Sequence, residues 1–167
     1  MAVEEADLTV LVVDAREGWM PVDDEIYRAL SQSGKPLLVA ANKADVPQLD
    51  IQSFDFFRLG IDQVYSISAE HNLGIENLLE AADALVSLRE EQATESEESP
   101  IKVAVVGKPN AGKSAVVNAL LGQQRLKGQR RDLGLAPHLF FDIALGHQTR
   151  LPTQIALIAL DIRRGNI

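Results

Sequence analysis

The chain contains no cysteine. That excludes disulfides, thiolate metal sites and a cysteine nucleophile, and it fits a cytoplasmic protein. No apolar run approaches the roughly 20 residues that a membrane-spanning helix needs, so no membrane partner is expected. Met1 is followed almost at once by Glu4 and Glu5, so no secretory leader is expected. Histidine is scarce. His138, Asp142 and His147 lack a metal-ligand spacing, His71 reads as a loop residue, and no Ser/His/Asp set points to nucleophilic catalysis. Trp19 reads as a packing residue rather than an anchor for a partner.

What is present is an ordinary globular composition: 167 residues, 46% hydrophobic and 24% charged, enough for one domain or two small pieces. The net charge of −8 is unevenly spread. Residues 1–100 carry 21 acidic and 6 basic side chains, whereas residues 101–167 carry 3 and 10. The basic half suits contact with phosphate, of a nucleotide or of RNA; equally, the two halves suit each other.

Apolar runs and breakers give the order of elements. Residues 7–14, DLTVLVVD, read as a strand buried on both faces. Pro21 opens a helix to about Ser33, with Asp23 and Asp24 in its first turn where the helix dipole favours them, and Gly34 stops it. LLVAA is a second strand, followed by the loop Asn42-Lys43-Ala44-Asp45. A short helix is expected at Ile51–Leu59, a strand at QVYSIS, and an amphipathic helix from Gly74 to Leu88. Residues 89–99 are glutamate-rich and lack apolar periodicity, so they read as a solvated linker. IKVAVV then forms a fourth strand, and AVVNALL a helix. After Gly122 the pattern weakens, although HLFFDIAL and QIALIAL have strand character. Strands alternating with helices imply an α/β fold with a mostly parallel sheet, whose ligands bind at the C-terminal strand ends.

The most specific motif is Gly107-Lys108-Pro109-Asn110-Ala111-Gly112-Lys113-Ser114. It meets G-x-x-x-x-G-K-[ST] at every fixed position, between a strand and a helix. Backbone N–H groups and the helix N-terminus suit phosphate oxygens, Lys113 the β- and γ-phosphates, and the Ser114 hydroxyl a Mg²⁺ ion. Asn42-Lys43-Ala44-Asp45 fits N-K-x-D. The Asp45 carboxylate suits the adjacent N1–H and 2-amino donors of guanine, at about 1.5–3 kcal/mol per charge-assisted bond. Asn42 suits a bridge between loop and base, and the Lys43 stem suits the base plane. At Ser68-Ala69, a backbone N–H beside a small side chain suits the guanine carbonyl oxygen. GTP or GDP with Mg²⁺ is therefore the expected ligand.

The stretches EEADLTVLVVDAREGWMPVDDEI, SGKPLLVAANKAD, YSISAEHNLGIENLLEA and SPIKVAVVGKPNAGKSAVVNALLG resemble the Der (EngA) family of tandem-domain GTPases, over roughly residues 4–122. The resemblance implies a P-loop NTPase fold of the Ras-like G-domain type: three layers, α/β/α, incomplete or permuted here. It implies GTP hydrolysis in assembly of the large ribosomal subunit, with that subunit or its precursor as partner. It places Asn110 where such GTPases hold K⁺. It also assigns residues 1–89 to the C-terminal half of a first G domain, 90–100 to an acidic linker and 101–167 to the N-terminal part of a second, divergent after 122. The first domain's P-loop, switch I and D-x-x-G would then precede Met1. Where the family has G-T-T-R-D, this chain has Gly128-Gln129-Arg130-Arg131-Asp132, and ALDIRRG places Asp161 four residues before Gly165, so D-x-x-G is not met. Nucleotide binding is thus expected to outlast hydrolysis. Two arrangements follow. Either the P-loop strand pairs beside Leu8–Val13 and closes one sheet of about six strands, or two incomplete half-domains hang on a flexible linker.

Overall fold

The computed structural model describes residues 2–45, 61, 63–90, 101–127 and 154–160. In chain order these form α1 (Ala2–Glu5), β1 (Leu8–Asp14), α2 (Pro21–Ser31), β2 (Leu37–Asn42), β3 (Val64–Ser66), α3 (Ile75–Glu90), β4 (Ile101–Gly107), α4 (Lys113–Lys127) and β5 (Gln154–Leu160). The five strands make one sheet in the order β3-β2-β1-β4-β5. The strand preceding the glycine-rich loop lies against β1, in parallel, with Leu8 opposite Val103 and Leu11 opposite Val106. One sheet therefore runs through residues from both sides of the 91–100 segment.

β1 is buried along its whole length because it is the middle strand and helices cover both faces. Its side chains alternate between two apolar clusters, as the two-residue repeat of a strand requires. Leu8, Val10 and Val12 face α3 and α4, packing with Ile75, Leu78, Val116 and Leu120. Leu11 and Val13 face α2, packing with Ile26 and Leu30. This is a three-layer α/β/α arrangement.

Three strand pairs are parallel and one is antiparallel: β4 with β5, Ile101 opposite Leu160 and Gly107 opposite Gln154. QIALIAL is thus a strand, and it runs against its neighbour. Its C-terminal end meets the start of β4, so Leu160 lies at the sheet end away from the glycine-rich loop. The sheet has five strands among the described residues where about six are expected. The expected helix at Ile51–Leu59, the strand at HLFFDIAL, residues 128–132 and the Asp161–Gly165 stretch lie outside the described residues, as does all but the start of the expected linker. α1 has no periodic signal in the sequence. Its Val3 packs, partly buried, against the core cluster that includes the fully buried Ala6 just after the helix.

Candidate functional site

The sheet order brings the C-terminal ends of β2, β1 and β4 side by side. β1 is the common neighbour, with Asp14 paired to Asn42 across the β1–β2 ladder. The loops that leave these ends therefore converge, although NKAD and the glycine-rich loop are more than sixty residues apart in sequence.

Gly107 ends β4 and turns the chain. A Cβ there would lie 2.3 Å from the Val12 carbonyl oxygen, so the close approach of the loop to β1 admits only glycine. Asn110 takes a left-handed conformation at φ 64°, and Pro109 and Asn110 are exposed. Lys108 is buried; its ammonium pairs with Glu17 at 2.6 Å and lies 3.6 Å from the Asp23 carboxylate. Burial lowers the Lys108 pKa, but the bond to Glu17 and the Asp23 charge outweigh it and hold the group above its ordinary value. Ala111 is fully buried. Gly112, at φ 90°, leads into α4, whose first residues are Lys113 and Ser114. Lys113 folds back over the loop and donates to the Lys108 carbonyl oxygen at 2.6 Å. Burial lowers its pKa. The Ser114 side chain is exposed at the helix start.

Asn42 ties three motifs together. Its Nδ2 donates to the Ala111 carbonyl oxygen at 3.0 Å, and its Oδ1 accepts the Ala69 N–H at 3.1 Å. It is only 3% exposed, and its bond to Ala111 is buried while that to Ala69 is part-buried. The fit against the glycine-rich loop is close: a Cβ on Gly112 would lie 2.2 Å from Asn42 Nδ2. Lys43, at φ 67°, donates from Nζ to Asp14 Oδ2 at 2.6 Å and to the Asn110 carbonyl oxygen at 2.8 Å. Ser68, fully buried, donates from its hydroxyl to Asp45 Oδ1 at 2.5 Å. The Arg16 guanidinium pairs with Asp45 Oδ2. The Ser68 bond, then Arg16, holds the Asp45 carboxyl below its usual range. All thirteen residues singled out from the sequence lie on these adjoining loops.

Four residues of the constellation escape the motif reading: Asp14, Arg16, Glu17 and Asp23. Asp14 is 4% exposed and is the acidic end of a fully buried strand, which is the one signal the sequence offers. Burial raises its pKa, yet the Lys43 bond, the Arg16 N–H and the Lys43 charge outweigh that and lower it overall. Asp23 is not a solvated first-turn acid; it has no exposed surface. Its Oδ2 accepts the Met20 N–H at 3.0 Å, and burial raises its pKa.

The glycine-rich loop, the start of α4 and Lys113 thus lie on one side of Asn42, and the strand end at Ser68-Ala69, with the Asp45 carboxylate, lies on the other.

Residues 1–87 match the family described as elongation factor Tu GTP binding domain, and residues 102–132 match 50S ribosome-binding GTPase. GTPase Der of Syntrophotalea carbinolica is 43% identical over 127 residues, 75% of this chain and 28% of that protein. GTPase Der of Leuconostoc mesenteroides is 38% identical over 137 residues, 79% of this chain and 31% of that protein. GTPase Der of Geotalea daltonii is 40% identical over 126 residues, 75% of this chain and 28% of that protein. The chain thus spans under a third of the length of these relatives. With a family match across more than half its length, and with the motif residues of that match gathered at one sheet edge, the chain belongs to the elongation factor Tu GTP binding domain family as a relative of GTPase Der.

Proposed function

We propose that the chain binds one guanine nucleotide, GDP or GTP with Mg²⁺, in a single site assembled from both halves of the sequence. The observation that carries this reading is Asn42: one buried side chain bonded to Ala111 of the phosphate loop and to Ala69 beside the expected base position. In this reading Gly107–Ser114 hold the phosphates, Asp45 reads the base, and the Ala69 N–H stands near the guanine carbonyl. The Ser114 hydroxyl is exposed at the start of α4, and it would ligate Mg²⁺ together with phosphate oxygens and water. Among the described residues no cluster of three His, Asp or Glu side chains provides a metal site of its own. Asn110 is the residue we assign to K⁺.

The wider role rests on the relatives. The name 50S ribosome-binding GTPase attached to the match at residues 102–132 supports a partner on the large ribosomal subunit or its precursor. We assign residues 1–89 to the latter half of one G domain, 90–100 to a linker and 101–167 to the start of another, here sharing one sheet. Among the described residues no helix is long and apolar enough to cross a membrane.

Binding without efficient turnover is the second reading. β5 ends at Leu160, opposite Ile101 at the sheet end away from Gly107, and phosphoryl transfer depends on groups placed around the γ-phosphate. Calorimetric titration of the purified chain with GDP, GTP and ATP tests the first reading. Saturable binding of both guanine nucleotides, no binding of ATP, and loss of binding in Lys113→Ala are expected. Equal binding of ATP would refute base recognition by Asp45. Phosphate release from GTP above the Lys113→Ala level would refute the second reading.

A further inference from the structure

We propose that Asp14 is a positioning residue of this site: its carboxylate holds Lys43 where the ammonium also reaches the phosphate loop, so that the base-reading and phosphate-binding loops are set by one half-buried ion pair. The proposal rests on the guanine-nucleotide reading above.

Asp14 ends β1 and belongs to no motif, yet it is 4% exposed. An ionised carboxylate removed from water survives only when its oxygens are satisfied. Here both are. Oδ1 accepts the Arg16 N–H at 2.9 Å, and Oδ2 accepts Lys43 Nζ at 2.6 Å. The same Nζ donates to the Asn110 carbonyl oxygen at 2.8 Å. The link thus runs from β1, through the loop after β2, to the loop after β4. Both loop residues on it, Lys43 at φ 67° and Asn110 at φ 64°, hold left-handed backbone conformations that side chains other than glycine adopt only when something fixes them. A lysine stem has about four rotatable bonds and loses its preferred direction once its head is free. With the carboxylate in place, the stem is held along the plane where a base would lie. Without it, Asn110 loses a charged donor and the stem is released.

The test uses the full chain and three variants: Asp14→Asn, Lys43→Met and the double variant. GDP and ADP affinities are measured well below each unfolding midpoint, and ligand-free unfolding is measured alongside. Asp14→Asn keeps the shape and removes the charge. It should weaken GDP about tenfold or more, the scale for losing one hydrogen bond to a charged group. It should also shrink the preference for GDP over ADP. The double variant should bind no more weakly than Lys43→Met alone. A merely structural role would lower the unfolding midpoint and leave the GDP-to-ADP ratio unchanged; that outcome overturns the proposal. So does wild-type GDP affinity in Asp14→Asn, or losses that multiply in the double variant. Should Asp14→Asn fail to fold, Lys43→Met carries the test from the other end of the link, and an unchanged GDP-to-ADP ratio there has the same consequence. Failure of the wild type to bind GDP would bring down the site reading itself. Wild-type binding with an indifferent Asp14→Asn would bring down this proposal alone.

Discussion

Single residues set the strength of this site, and two make sharp predictions. Asn42 makes one buried bond and one part-buried bond. Asn42→Ala leaves the Ala69 N–H and the Ala111 carbonyl without their partner, at about 1–3 kcal/mol for each buried group. Urea unfolding of the ligand-free chain should therefore show a loss of about 2 kcal/mol or more. Lys113 behaves oppositely. Burial lowers its pKa below the ordinary lysine value of 10.5, so the unfolded chain holds this proton more tightly than the folded one. Its contribution to stability accordingly increases as pH rises through the lowered folded value towards 10.5. At neutral pH a buried charge with no anion costs stability. Lys113→Met should raise the ligand-free unfolding midpoint while removing GDP binding, a trade seen by running thermal unfolding with and without GDP. Asp14 has the reverse sign. Its lowered pKa gives stability that is present above the ordinary value of 3.8 and fades as pH falls through the lowered one. The motif residues were legible because each sits at a fixed spacing from its neighbours. Asp14, Glu17 and Asp23 were not, because their partners Lys43 and Lys108 come from other loops and only the folded sheet supplies the distances.

At the scale of elements, the strands declared themselves. DLTVLVVD, LLVAA and IKVAVV are apolar without alternation because helices cover both sheet faces, and that composition points to a buried parallel strand. The helix from Gly74 was equally plain from Ile75, Leu78, Leu79, Ala82 and Leu85 on one face: Ile75, Leu78 and Ala82 are buried and Leu79 and Leu85 partly so, and Val86, outside that pattern, is buried with them. The direction of β5 was not legible. QIALIAL has the same apolar text whichever way it runs, and pairing direction is decided by a connection that offers no periodicity. Glycines separate into those the loops need and those they do not. A Cβ on Gly112 would meet Asn42 Nδ2 at 2.2 Å, on backbone at φ 90°. Gly112→Ala should therefore push the two loops apart and abolish nucleotide binding. Gly122, inside α4, has nothing within 4 Å of where its Cβ would stand. Gly122→Ala should gain about 0.5–1 kcal/mol of stability with nucleotide affinity unchanged. The pair of substitutions, read by urea unfolding and GDP titration, separates helix propensity from loop geometry.

For the whole molecule, the governing fact is that β4 lies beside β1. The two halves carry opposite charge balances and share two apolar cores, one on each sheet face. In the proposed site the phosphate loop comes from one half and the base-reading loop from the other. A nucleotide bound across them would hold the halves together, so GDP should raise a single cooperative unfolding midpoint rather than split the transition. The central claim is that one chain completes one site. The most direct measurement is GDP stoichiometry by calorimetry on the monomer, for the wild type, for Asp45→Asn, for Lys113→Ala and for an equimolar mixture of the two variants. One GDP per wild-type chain, none for either variant and none for the mixture is the predicted result. Unchanged binding in Asp45→Asn, or binding restored on mixing, would contradict it.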